Sequence, residues 1–238
     1  VDYILVPIGG GGLCTGVSTL AKLLNPKIKV IAVEPAGAAC LKASLEAGEV
    51  TTVSKINTIA DGTAVQTPGD KLFPYLQANV DHVITVDDSE LTLSFLDMAE
   101  NHKMIVENSG LLTVAALKHL DFKGKKVVSV LSGGNMDVLT MATVVQNGLM
   151  QRDRIFTVSV MLPDKPGQLA AVSSLIAKEQ GNVIKLEHNV FANVNRTAGV
   201  ELTITLESFG TEHKDQIIKA LEAAGYCPVI TKTNGIYM

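Results

Sequence analysis

Four consecutive glycines, Gly9-Gly10-Gly11-Gly12, stand between an apolar, strand-like run from Tyr3 to Ile8 and a helix-like run that opens at Leu13. The first amides of a helix lack intrahelical acceptors and carry partial positive charge, and glycines remove the Cβ atoms that would hold an anion away. A tight turn alone needs one glycine, so a run of four at this place points to a phosphate cradle. A second turn, Ser132-Gly133-Gly134-Asn135, follows another apolar run, Lys126 to Leu131. Ligands of open parallel sheets sit beyond the carboxyl ends of the strands, so both turns can face one bound molecule, and Ser132 brings a hydroxyl that donates or accepts. Ser132 stands too far from the helix expected at Asp137 to be its cap.

The kind of phosphate is constrained by two positions. Glu34 closes the next strand-like run, where an acid could hold the ribose of a dinucleotide. The dinucleotide fingerprint fails in both registers, however: counted from Gly9 it needs Gly or Ala where Cys14 stands, and counted from Gly10 it meets Thr15. A compact monophosphate held by consecutive amides fits better, and Glu34 is left either as a solvated strand end or with another role.

These turns require particular elements around them. Short β-branched runs at Tyr3–Ile8, Ile28–Glu34, His82–Val86 and Lys126–Leu131 alternate with helical patterns at Leu13–Leu24, Ala38–Ala47, Ser89–His102, Gly110–Leu120 and Asp137–Asn147. That alternation is the signature of βα units on a parallel sheet. The first and last strands are nearly continuous in apolar residues, which predicts central positions covered on both faces. Asn25-Pro26 ends the first helix and Asp87-Asp88-Ser89 offers caps for the third. At Gln151-Arg152-Asp153-Arg154 the apolar pattern breaks, and a domain boundary is expected, with residues 1–150 before it and 154–238 after it. The second part reads as strand 155–162, helix 168–179, strands 182–191 and 199–206, helix 212–224 and strand 227–231, the ferredoxin-like βαββαβ unit. Asn193-Val194-Asn195-Arg196 signals its hairpin and Gly225 a helix C-cap.

Composition narrows the function class. The chain has 238 residues, 47% hydrophobic and 18% charged, which is enough apolar material for two ordinary cores and excludes disorder as its main description. A net charge of −4, the absence of Trp and 4% aromatics argue against nucleic acid or an anionic membrane as the partner. Small uncharged or zwitterionic ligands fit better. Cys14, Cys40 and Cys227 form no CxxC pair, so neither a disulfide framework nor zinc is indicated and a reducing cytoplasm is expected. No transmembrane run is present, the five histidines form no ligand pair, and Met98 and Met104 read as core. The chain opens at Val1, without Met and almost inside a strand, so a piece of something longer is expected.

Five segments then occur in one order: Val6-Pro7-Ile8-Gly9-Gly10-Gly11-Gly12-Leu13, Ile31-Ala32-Val33-Glu34-Pro35, Ile59-Ala60-Asp61-Gly62, Val106-Glu107-Asn108-Ser109-Gly110 and Leu131-Ser132-Gly133-Gly134-Asn135. Together they resemble the C-terminal half of the threonine dehydratases (threonine ammonia-lyases), fold-type-II enzymes that depend on pyridoxal phosphate. The tail, with Leu162-Pro163-Asp164-Lys165-Pro166-Gly167-Gln168-Leu169, is similar to an ACT domain. The fold class implied is α/β, a partial doubly wound parallel sheet followed by a βαββαβ ACT module.

By this resemblance Gly9, Gly10, Gly11, Gly12 and Leu13 hold the cofactor's 5′-phosphate, and Ser132, with Gly133 and Asn135, faces the pyridine nitrogen. A neutral hydroxyl there makes a weaker electron sink than a carboxylate, which suits loss of a β-hydroxyl. The implied reaction turns threonine into 2-oxobutanoate and ammonia. A monovalent cation is implied at Glu34, the Ala38 carbonyl and Cys40, because a thiol in place of an aspartate offers too little oxygen charge for Mg²⁺ or Ca²⁺. Asp164, Gly167, Leu169 and Asn182 are implied contacts of an effector, isoleucine or valine for a biosynthetic enzyme, and a homodimer or homotetramer is expected. The family carries its cofactor on a lysine in a Ser-x-Lys-x-Arg-Gly context. Lys22, Lys42, Lys55 and Lys71 lie in other surroundings, so the expected segment before Val1 holds that lysine and this chain by itself is expected to be inactive. The rival functions are a serine dehydratase or racemase relative, an NAD-dependent dehydrogenase with an ACT tail, and a non-catalytic amino-acid-binding module.

Overall fold

A computed structural model describes residues 1–189 and 199–233. Contacts divide the chain into two compact units, Val1–Val145 and Gln146–Met238. The first contains strands β1 (Tyr3–Pro7), β2 (Lys29–Pro35), β3 (His82–Val86) and β4 (Val127–Ser129), with helices α1 (Gly12–Leu24), α2 (Cys40–Ala47), α3 (Phe73–Asn79), α4 (Asp88–Asp97) and α5 (Asn108–Ala115) between them. Helix α6 (Val138–Gln151) carries the division. The strands are parallel in the order β3-β2-β1-β4, so the α/β fold read from the alternation of periods is the one observed.

The two middle strands, β1 and β2, are covered on both faces. Alternate residues of β1 and β2 point into two separate clusters: Leu5, Ile31 and Val33 pack with Phe95, Leu111 and Leu112 of α4 and α5, while Val6, Val30 and Ala32 pack with Cys14, Ala21, Leu41 and Leu76. Two apolar faces explain why β1 reads as a nearly continuous hydrophobic run. The same logic misplaces β4. The run from Lys126 to Leu131 predicts a central strand, yet among the described residues β4 pairs with β1 alone, at the edge of the four-stranded sheet, and is three residues long, with Val128 41% exposed. Hydrophobicity reports which faces a strand offers to burial and carries no information on its place in the order.

Three other departures have local causes. Helix α3 was hidden by Pro74, but a proline in the first turn costs no hydrogen bond and its fixed φ suits a helix start. The helix expected over Ser89–His102 ends its α form at Asp97 and finishes as a π-turn, Met98–His102, closed by Lys103 at φ 58. Met98 is core, whereas Met104, beyond that turn, is 46% exposed. Asp87 does cap α4, in a capping box with Glu90.

In the second unit β5 (Ile155–Leu162), α7 (Gln168–Lys178), β6 (Asn182–Asn189), β7 (Val200–Glu207), α8 (Thr211–Ala223) and β8 (Val229–Thr231) form an antiparallel sheet in the order β6-β7-β5-β8. Phe156, Val158, Val160 and Leu162 alternate inward from β5 and meet Val172 and Ile176 of α7 and Ile217 and Leu221 of α8. Gly225, at φ 88, ends α8 as its position suggested. The expected hairpin at 193–196, and the end of the strand expected to reach Phe191, lie outside the described residues.

Candidate functional site

Strand β1 delivers its chain directly into the glycine run at the carboxyl end of the sheet. Gly11 is the residue before α1, at φ 102, with no side chain to cap the helix, so the first-turn amides have neither intrahelical nor side-chain acceptors. The glycines are required for different reasons. A Cβ on Gly9 would stand 2.9 Å from the Cα of Thr63, and one on Gly11 would meet Leu76 at 2.9 Å, besides the left-handed φ. Gly10 and Gly12 face open space, so their missing side chains leave room for a ligand and none for packing.

That space is a cavity of about 300 Å³ lined by Pro7, Ile8, Gly9 to Cys14, Gly62, Thr63, Glu107, Ser109 and Ser132. The two turns singled out in the sequence therefore do face one cavity. Gly133 and Asn135 do not line it: Gly133 packs under Glu107, and Asn135 lines an adjoining cavity of about 60 Å³ with Asp61, Asn108 and Asp137. Helix α6 is capped by Asp137, whose Oδ1 accepts from the amides of Leu139 and Thr140 at 2.9 and 3.0 Å, which leaves the Ser132 hydroxyl out of any capping role. Sequence reasoning gave no site role to Gly62, Thr63, Glu107 or Ser109. Their signal was present in the Ala60-Asp61-Gly62 and Glu107-Asn108-Ser109-Gly110 segments, which carry polar and glycine residues where a helix start alone would need fewer.

An anion of phosphate size and a flat ring fit what is present: donors without competing acceptors at one end, a hydroxyl at the other, and a floor that glycine alone allows. The residues thus suit pyridoxal phosphate, with Gly9 to Leu13 at its phosphate and Ser132 toward its ring.

Glu34 is not the solvated strand end that was one of its two expected settings. It is fully buried, and its oxygens accept backbone N–H groups of Leu41 at 2.6 Å and Lys42 at 2.9 Å, capping the start of α2. Burial raises its pKa, and the two amides and the Cys40 thiol offset part of that rise. Cys14 and Cys40 are both buried, and burial together with the Glu34 charge pushes each thiol up to about 12. Ala38 is buried in the 3₁₀ turn that links β2 to α2. Glu34, Ala38 and Cys40 do come together, but around a helix cap.

In the second unit Asp164 and Gly167 share the β5–α7 loop and Leu169 stands in the first turn of α7, all three exposed, with Gly167 at φ 91 just before the helix. Asn182 is elsewhere. The β5–β7 ladder runs from Ile155 opposite Glu207 to Leu162 opposite Val200, and Asn182 pairs with Glu207, so it lies at the far end of the sheet, about 20 Å away at ~3.3 Å per residue. Its amide donates to Glu207 Oε2 at 3.1 Å. At that same end a cavity of about 510 Å³ is bordered by Lys178, Phe209 and His213. His213 is held there by both ring nitrogens: Nδ1 accepts from the Phe209 amide at 3.0 Å and Nε2 meets the Glu179 carbonyl, while Phe209 stacks on the ring.

Taken together, these features define a parallel α/β protein with a glycine-lined cavity at the carboxyl end of its sheet, joined to a small βαββαβ unit. The chain belongs to the pyridoxal-phosphate-dependent enzyme family, whose model matches residues 1–133, and it carries an ACT domain at residues 156–225. It is 38% identical over 235 residues to the L-threonine ammonia-lyase of Geobacter sulfurreducens, a match that covers 98% of this chain and 58% of that protein. The chain therefore spans little more than half the length of that relative. Among solved structures it is similar to the processed form of threonine deaminase isoform 2 from Solanum lycopersicum, at a TM-score of 0.58 and 31% identity over 62% of this chain and 44% of that one. A serine racemase from Dictyostelium discoideum matches with a TM-score of 0.54 and 41% identity, over 58% of this chain and 45% of that one. No helix among the described residues is long and apolar enough to cross a membrane.

Proposed function

We propose that this chain is part of a threonine dehydratase, an enzyme that converts L-threonine to 2-oxobutanoate and ammonia, with residues 1–150 in its catalytic domain and 154–238 as an amino-acid-sensing module. The observation that carries this reading is continuous likeness to L-threonine ammonia-lyase across both units, coupled to a cradle open only at Gly10 and Gly12. Pyridoxal phosphate, when bound, supplies the electron sink for loss of the α-proton and the β-hydroxyl. The amides from Gly9 to Leu13 bind its phosphate, and Ser132 meets the ring nitrogen with a neutral group. Ser109 and Thr63 close the wall between these ends, with hydroxyls 3.5 Å apart. At the turn from β2 to α2 the hydrogen bonds favour a capping role for Glu34 over cation binding. The segment from Asp164 to Leu169, the β5–α7 loop and the start of α7, is the effector contact, for isoleucine or valine, and the assembly is a homodimer or homotetramer in the cytoplasm.

The test is formation of 2-oxobutanoate from L-threonine by the full-length gene product, with isoleucine and valine titrated in. Since no lysine here has the family's Ser-x-Lys-x-Arg-Gly context, residues 1–238 alone are expected to give no turnover. A serine racemase relative is the second reading, supported by the 41% identity of that match. D-serine formed from L-serine faster than 2-oxobutanoate from threonine would replace the first reading with the second.

A further inference from the structure

We propose that Glu107 is a positioning residue for the ring end of the cofactor cavity, holding the Ser132-Gly133 turn in place. This inference rests on the phosphate-cradle reading of the same cavity.

Glu107 lines both the 300 Å³ cavity and the 60 Å³ cavity beside it, so its side chain forms part of the wall between them. It grips the second glycine turn in two ways. Its backbone N–H donates to the Gly133 carbonyl at 3.1 Å, and its carboxylate fills the space a side chain at position 133 would take, because a Cβ there would lie 1.8 Å from Oε1 and 2.6 Å from Cδ. A side chain at position 133 would therefore have to displace the Glu107 carboxylate, whereas the backbone angles of Gly133 do not themselves require glycine, since its φ is outside the left-handed region.

The rest of α5 braces the same turn. A Cβ on Gly110 would meet the Gly133 carbonyl oxygen at 3.2 Å and its nitrogen at 3.3 Å, so the first turn of α5 lies flat on that peptide. Thr113 Oγ1 donates to the Val130 carbonyl at 2.9 Å, just upstream of Ser132. Helix α5 therefore supports the turn from behind while the Glu107 side chain bears on it from the cavity. Ser132 itself is exposed, so its place in the cavity depends on how the adjoining Gly133 is held.

The experiment uses the full-length gene product and measures pyridoxal phosphate affinity by cofactor absorbance, alongside the melting temperature without cofactor. Glu107→Ala and Gly133→Ala are each expected to weaken affinity about tenfold, with Glu107→Gln, which keeps the shape, within about threefold of the parent. The double variant Gly133→Ala with Glu107→Ala is expected to bind more tightly than Gly133→Ala alone, because the clash is removed. Glu107→Ala should leave the cofactor-free melting temperature within about 4 °C of the parent. The proposal is overturned if Glu107→Ala binds like the parent, if it lowers the melting temperature without touching affinity, or if the double variant gains nothing. Gly10→Asp separates the two levels. A carboxylate in the cradle should abolish binding; if it does so while the Glu107 variants are silent, this inference fails alone, and if it binds like the parent, the cradle reading fails too.

Discussion

Gly9→Ala and Gly10→Ala are adjacent substitutions of the same chemistry that should have opposite outcomes. A methyl on Gly9 would stand 2.9 Å from the Cα of Thr63 and 3.4 Å from the Gly62 carbonyl oxygen, both backbone atoms, so no rotamer change can relieve the contact. Either the glycine loop or the Asp61–Thr63 turn must move. Forcing a methyl into a packed site costs about 1–3 kcal/mol, and for a chain of this size each kcal/mol lowers the melting temperature by roughly 2–4 °C. Gly9→Ala should then melt about 2–12 °C lower than the parent. A methyl on Gly10 meets nothing within 4 Å, so that variant should melt within about 2 °C of the parent, with any change toward stability from the lower entropy of its unfolded chain. Its effect should fall on the cradle, where the methyl intrudes on the anion's space. Thermal melts with and without pyridoxal phosphate read both effects: Gly9→Ala lowers the baseline, and Gly10→Ala reduces the increment the cofactor gives. Equal baselines for the two variants would refute the claim that these glycines serve packing and binding separately.

Three further outcomes follow from the geometry. Because the folded pKa of Glu34 is raised from 4.5, the native state keeps a proton that the unfolded chain has lost, and stability should fall as pH rises from about 4.5 through that raised value; urea melts of Glu34→Gln across this range should lose the slope, at a cost of about 1–3 kcal/mol for one amide left unpaired. Asp153 has the opposite sign. Burial raises its pKa but is outweighed by hydrogen bonds from Lys214 and Thr211, so its contribution is present at neutral pH and lost as pH falls through the lowered value, and Asp153→Ala should cost about 1–2 kcal/mol at pH 7 and less at pH 3. Gly167→Ala places a methyl on a residue at φ 91; it should destabilise the ACT unit by about 1 kcal/mol and reduce the thermal shift given by isoleucine, and an undiminished shift would remove the loop from the effector site.

What the sequence made legible was whatever one segment decides for itself. The turn from strand through four glycines into helix could be read because its parts are contiguous, and the βαββαβ order because each element has its own period. Properties that depend on distant segments were not readable. The edge position of β4 is set by its single pairing to β1. The burial of Glu34 depends on α2 folding back so that its first amides reach the carboxylate, although the spacing from Glu34 to Leu41 looks like an ordinary loop. Asn182 and Asp164 looked like one site on a list of residues, and the strand register separates them.

Glu107 is the sharpest case. Gly133 sits in a glycine-rich turn, where a glycine is most readily ascribed to backbone freedom, yet its φ needs none. Its reason is a carboxylate that comes from another helix and fills the Cβ position. A glycine with ordinary angles, crowded by a charged side chain at a cavity wall, means that the two positions are sterically coupled. The pair can therefore be tested only by changing both.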